Sequence, residues 1–207
     1  MRMIEPLYWS KAKKYLCKKD KRLSKIISSH DGHLSTKKDP FYSLCKSIVG
    51  QQISVQSADS VWRKLVKRCS RISPRNINKL GKQDLLDCGL SRQKSEYIKL
   101  LSLNFMNKNF KTSKLKNLDD DQAIAYLCIN KGIGKWTAEM FLIFNQNRQN
   151  IFPIQDIGLL KAISKNYKTL YPPSETELEK FKKRWSPYCS VATWYMWRSI
   201  DPLPVEY

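Results

Sequence analysis

The chain has 207 residues, with 38 Lys+Arg against 18 Asp+Glu, for a formal net charge of +20. Its hydrophobic fraction of 42% is enough to build a core, which excludes a disordered chain, and its longest strongly apolar run, 140–144, falls far short of the roughly 20 residues a spanning helix needs. So large a positive excess on a small globule adds self-repulsion, and it points to a polyanionic partner, either nucleic acid or an anionic surface.

In chain order, residues 1–6 carry a charge and a proline where a secretory signal would need an apolar stretch. Residues 11–25 hold Lys11, Lys13, Lys14, Lys18, Lys19, Lys21, Arg22 and Lys25 against one acid, Asp20. The pattern suits a solvated helix face, and the overall charge adds phosphate contact to that reading. His30-Asp31-Gly32-His33 is short and turn-like, with no further ligand nearby, and is not read as a metal site. Asp39-Pro40 predicts a helix over 40–50 with Leu44, Ile48 and Val49 on its apolar face. A helix over 54–68 opens at Ser54, with Trp62 and Leu65 opposite Arg63, Lys64, Lys67 and Arg68. The same periodicity predicts a helix over 93–106. The Asp119-Asp120-Asp121 cluster favours a helix start by charge–dipole interaction, giving 120–128. Further helices are expected at 135–145, 156–166, 175–184 and 188–200. The reading is an all-α protein of roughly ten helices with short connections and no internal repeat.

The six cysteines lie at least 19 residues apart and form no CxxC pair. This argues against a zinc ribbon and against a locally held iron–sulfur cluster, and it fits a reducing cytoplasm. No cofactor is expected.

Two segments carry chemistry. In Asn130-Lys131-Gly132-Ile133-Gly134-Lys135-Trp136-Thr137-Ala138 an apolar helix end runs through Gly-x-Gly into another helix. Amides at the start of that second helix, with Lys135 beside them, form an anion site suited to a DNA phosphate. A plain helix–helix turn is the alternative. In Phe152-Pro153-Ile154-Gln155-Asp156-Ile157-Gly158-Leu159 a carboxylate sits at a helix start, a position also common for a structural cap.

Together these segments resemble the helix-hairpin-helix (HhH-GPD) DNA glycosylases, and within them the alkylbase, 3-methyladenine type II branch. Two more stretches carry the resemblance: Ile48-Val49-Gly50-Gln51-Gln52-Ile53-Ser54, and Trp185-Ser186-Pro187-Tyr188-Cys189-Ser190-Val191-Ala192-Thr193-Trp194-Tyr195-Met196-Trp197-Arg198. The four motifs stand in the family's order over about residues 40–200.

The resemblance implies a single domain over 1–207. Its hairpin would lie at about 120–145. The N- and C-terminal helices would form one lobe and about 50–155 the other, with the active-site cleft between them. It implies no N-terminal β-domain and no iron–sulfur cluster. Asp156 becomes the catalytic carboxylate, stabilising positive charge on the sugar as the N-glycosidic bond breaks. Trp136 stands where bifunctional relatives carry a catalytic lysine, so a monofunctional hydrolase is expected. Trp136 and Trp197 would line the base pocket and attract a cationic alkylated purine, worth about 0.5–2 kcal/mol each. Met140 and Ile157 would also border the pocket, at positions where relatives carry aromatics. Gly132, Gly134, Lys135, Thr137 and Lys131 would face DNA. Gln52 would be the wedge that fills the duplex when the base is extruded. Asn130-Lys131 departs from the hydrophobic-Pro step common in the family. No side chain is read as a metal ligand, though family hairpins hold a monovalent cation on backbone carbonyls. The implied partner is duplex DNA carrying alkylated bases, with no membrane role. The implied state is a monomer, in the cytoplasm or nucleoid of a bacterium or the nucleus of a eukaryote. The competing readings are a non-catalytic helix-hairpin-helix DNA-binding protein and a glycosylase for deaminated or oxidised bases.

Overall fold

Short polar side chains set the helix starts. Asp20, Asp39, Ser54, Ser73, Ser91, Asp119, Asp156 and Ser174 each accept a hydrogen bond from a first-turn backbone amide. At Asp119 and Ser174 the third residue, Gln122 or Glu177, returns a bond to the cap and completes a capping box. The computed structural model describes residues 5–34 and 39–201, so residues 1–4 of the N-terminal reading lie outside it. Among the described residues there are twelve α-helices, one 3-10 turn at Thr112–Asn117 and no strand.

The chain divides into two compact units. The first comprises the described parts of Met1–Thr36 and Leu142–Glu206. It contains α1 (Trp9–Lys19), α2 (Lys21–Ser29), α10 (Ile157–Tyr167), α11 (Glu175–Trp185) and α12 (Cys189–Arg198). Here α12 packs on α1, α2, α10 and α11. Seven of its ten residues are apolar or aromatic, and residues 189–197 are all buried. Trp9 meets the Trp194 ring edge-on at 5.4 Å, and Tyr167, Phe181 and Trp185 form a second aromatic cluster.

The second unit covers the described residues of Lys37–Phe141. It contains α3 (Pro40–Gly50), α4 (Val55–Cys69), α5 (Pro74–Lys79), α6 (Lys82–Asp87), α7 (Arg92–Met106) and α8 (Asp120–Cys128). It also holds most of α9 (Lys135–Phe144), inside which the chain passes from one unit to the other. In this unit α7 packs on α3, α5 and α6, burying Ile98 and Leu101 with Leu44, Ile48, Ile77 and Leu85. The unit begins ahead of α3 because α3 packs against α4 and α7. The six-residue helices α5 and α6 were not expected, since so few residues show no 3.6-residue period.

Asp20, the one acid in the basic N-terminal stretch, is a hub of the first unit. Its Oδ1 accepts the Arg22 and Leu23 amides at 3.1 Å each, capping α2. Its Oδ2 accepts from the Tyr167 hydroxyl at 2.8 Å, the Trp185 indole N–H at 3.1 Å and Arg184 at 3.3 Å. Burial pushes the Asp20 carboxyl pKa up, but the bonds from Leu23, Trp185, Tyr167 and Arg184 outweigh it and hold the group below the usual carboxylate value.

Candidate functional site

Asp156 is the cap of α10. It is 7% exposed, and its Oδ1 accepts the Leu159 backbone N–H at 2.7 Å. The same oxygen accepts the indole N–H of Trp197 from α12, also at 2.7 Å. Two donors on one oxygen fix the carboxylate's orientation, and a charge-assisted bond is the strong kind. Trp197 is itself held by Phe144, whose ring lies nearly parallel at 5.8 Å. Trp197, expected as a pocket wall, therefore also orients the acid.

Gly158 has a role the sequence did not disclose. A Cβ there would lie 3.1 Å from Asp156 Oδ1 and 3.1 Å from Trp197 Cδ1. A methyl group there would crowd both partners of that bond, and one of them would have to shift by a few tenths of an ångström. Ile157 is 61% exposed beside this bond. Replacing Trp197 by Phe keeps a ring against Phe144 but removes the N–H. Base release by such a variant is expected to slow about tenfold, the equivalent of ~1.4 kcal/mol for one hydrogen bond to a charged group. Single-turnover kinetics would measure it, and a rate equal to wild type would show that the indole N–H does not matter.

The second unit holds the hairpin, α8 and α9 with the turn 129–134 between them. Gly132 sits at φ +89°, and a Cβ there would come within 2.3 Å of the Tyr97 ring. The turn therefore demands glycine twice over, for conformation and for space. At Gly134 a Cβ would meet nothing within 4 Å, and Lys135 beside it is exposed. The first-turn amides of α9 have no carbonyl four residues back within the helix, so this end offers donors to an anion.

Asn130, which with Lys131 stands in place of the hydrophobic-Pro step, is 2% exposed. Its amide donates to the Leu127 carbonyl, and its Oδ1 accepts from Asn104. It closes the end of α8 by hydrogen bonding. Lys131 is exposed and pairs with Glu96 at 3.0 Å. Thr137 is 3% exposed, and its hydroxyl accepts from Gln51 at 3.2 Å. Its side chain therefore braces the end of α3 against the hairpin, and its backbone N–H is among the first-turn amides of α9. Trp136 is half-buried and Met140 is buried.

Gln51 was quoted in the motif without a role. Its amide donates to the Gly132 carbonyl at 2.9 Å as well as to Thr137, tying the end of α3 to the hairpin. Gln52 is exposed and holds a left-handed φ of 57°. Nothing in a single sequence marks such a cross-chain tie.

Among the described residues no three His, Cys, Asp or Glu side chains group as a metal site. His30 and His33 each direct Nδ1 to a backbone carbonyl, of Ile26 and Leu34, at 2.9 Å. The hairpin turn offers backbone carbonyls, hard oxygen donors of the kind a monovalent cation takes, although that of Gly132 already accepts from Gln51. No helix among the described residues is long and apolar enough to cross a membrane.

Residues 45–187 match the family described as HhH-GPD superfamily base excision DNA repair protein. A putative DNA-3-methyladenine glycosylase, YfjP of Bacillus subtilis, is 30% identical over 86% of the chain, and the match spans 66% of that relative's length. A DNA-3-methyladenine glycosidase from Bacillus halodurans superposes with a TM-score of 0.80 at 29% identity, covering 96% of this chain and 92% of that one. The Schizosaccharomyces pombe 3-methyladenine DNA glycosylase Mag1, in complex with abasic DNA, superposes with a TM-score of 0.77 at 25% identity, covering 91% and 96%.

Proposed function

The chain belongs to the HhH-GPD superfamily of base excision DNA repair proteins, and on that premise we propose that it is a monofunctional DNA glycosylase releasing alkylated purines of the 3-methyladenine type. The observation that carries the reading is the buried Asp156 carboxylate held by the Trp197 indole N–H. Departure of the base builds positive charge on the deoxyribose. A carboxylate in a site poor in water stabilises that charge and orients the attacking water, while its two donors spare it reorganisation during the reaction. A base already cationic leaves without a strong acid to protonate it, which suits a motif, residues 152–159, with one acid and no second carboxylate.

Trp136 supports hydrolysis over lyase chemistry, because an indole cannot form a Schiff base with the sugar. Lys135 follows the wrong helical direction, about 100° away. We assign Trp136, Trp197, Met140 and Ile157 to the base pocket and Gln52 to the wedge. The amides at the start of α9, with Lys135 and Lys131, are assigned to the DNA backbone. A cation on the carbonyls of the turn, residues 129–134, would add positive charge toward that phosphate.

The test is incubation of the protein with methylated duplex DNA, with the released bases separated by chromatography and borohydride added in parallel. Free methylated purines and no covalent protein–DNA adduct are expected. An adduct would overturn the monofunctional assignment. Duplex binding without any released base would favour the binding-protein reading.

A further inference from the structure

The segment that carries Gln52 is clamped from two sides, and one clamp is a lysine outside every motif discussed above. Lys94 lies in the first turn of α7, where its backbone N–H bonds the Ser91 cap at 3.2 Å. Its ammonium donates to the Val49 carbonyl at 2.8 Å and to the Gln51 carbonyl at 2.5 Å. Val49 lies in the last turn of α3, whose carbonyls have no partner within their own helix and carry the negative end of its dipole, and Gln51 is the cap that follows it. A lysine is suited to them by charge as well as by donor count. On the other side, the Gln51 side chain bonds the hairpin at Gly132 and Thr137.

Between the clamped Gln51 and the α4 cap Ser54, Gln52 takes a left-handed backbone that a non-glycine residue adopts only under strain. Such strain persists where the surroundings over-determine it. Here the surroundings are the Lys94 and Gln51 bonds. We propose that Lys94 is a positioning residue for base extrusion: by neutralising the end of α3 it holds the exposed Gln52 side chain in the posture that enters the duplex. The inference rests on the assignment of Gln52 as the wedge.

The role implies a selective defect. A residue that prepares the wedge matters when a base must be pulled from a paired stack, and matters little when the base is already unpaired. The experiment compares wild type, Lys94→Met, Lys94→Arg and Gln52→Ala on the same alkylated base, once paired in a duplex and once in a bulge. Single-turnover base release is read beside the fluorescence of 2-aminopurine at the target position, which reports extrusion without needing chemistry. For Lys94→Met a loss of about 10- to 100-fold is expected on the paired target, the scale on which misplacement costs rate. Release from the bulge and affinity for undamaged duplex should stay within about twofold of wild type. Gln52→Ala should lose release on the paired target as well, and Lys94→Arg should restore most of the loss.

Equal losses on paired and bulged targets, with a lowered Tm, would reduce Lys94 to a structural residue and overturn the proposal. So would a Lys94→Met variant indistinguishable from wild type while Gln52→Ala is impaired. If Gln52→Ala is itself unimpaired on paired targets, the wedge assignment falls and the proposal falls with it. If wild type extrudes 2-aminopurine without releasing any base, the glycosylase reading fails while Lys94 is still judged on extrusion. Should Lys94→Met not fold, Lys94→Gln, which keeps an amide donor, takes its place under the same criteria.

Discussion

Replacing Asp156 by Asn is expected to lower base release from alkylated duplex by about 10²–10⁴-fold, with the fold and duplex binding retained. The substitution keeps two of the carboxylate's hydrogen bonds. The bonds from Leu159 and Trp197 both fall on Oδ1, so an asparagine oxygen in that position keeps both. Asparagine is also as good a helix cap as aspartate, so the start of α10 should survive. What changes is the other atom, from oxygen to NH2, and with it the negative charge. A Tm within a few degrees of wild type and an unaltered Kd for undamaged duplex should accompany the lost rate. An Asp156→Asn variant as active as wild type would remove the carboxylate from the mechanism, and the helix-hairpin-helix binding reading would then have to account for the charge of +20.

The largest effect on stability is expected at the hairpin. Gly132→Ala places a methyl group 2.3–2.8 Å from three carbons of Tyr97 and puts alanine at φ +89°. The conformational cost is about 1–2 kcal/mol and the overpacking cost about 1–3 kcal/mol, together roughly 2–5 kcal/mol. For a chain of this length that lowers Tm by about 10 °C, measurable by calorimetry. The Tyr97 ring cannot simply turn aside, since its hydroxyl also accepts from Gln93 at 2.6 Å. Removing the ring in a Gly132→Ala/Tyr97→Ala pair should lift the contacts with the ring but leave the backbone strain and the contact with the residue-97 Cβ at 2.8 Å, so it should recover only part of the loss. DNA affinity should fall with the single variant, because the turn sets the direction of the amides that open α9. An alanine variant as stable as wild type would mean that the turn is not held against Tyr97.

These two positions show how differently chemistry can be written in a chain. Asp156 could be nominated from the sequence because a carboxylate at a helix start within a motif is a local pattern. Gly132 likewise stood out as half of a Gly-x-Gly turn. The residues that make each of them work could not be found that way. Trp197 donates to Asp156 from 41 positions away, and its indole was expected only as a pocket face. Gly158 belonged to the motif, but its closeness to the Trp197 ring, as well as to Asp156, is visible only in the folded chain. The place of Thr137 in the motif does not disclose that its hydroxyl accepts from Gln51.

What the sequence determined by itself is what depends on neighbouring residues. Asp39-Pro40, Asp119 with Gln122, and Ser174 with Glu177 set helix starts, because capping joins groups within three residues of one another. Periodic apolar residues set the long helices, and the charge set the class of partner. The tertiary structure decided the contacts whose partners lie far apart in the chain. Asp20 meets Tyr167 and Trp185 across 147 and 165 positions, and Gln51 reaches Gly132 across 81. Lys94 reaches Gln51 across 43. A polar side chain buried by packing must find a partner, and which partner it finds depends on how the helices dock. One sequence specifies that docking only through the summed packing of the core, so these bonds become visible only once the helices are in place.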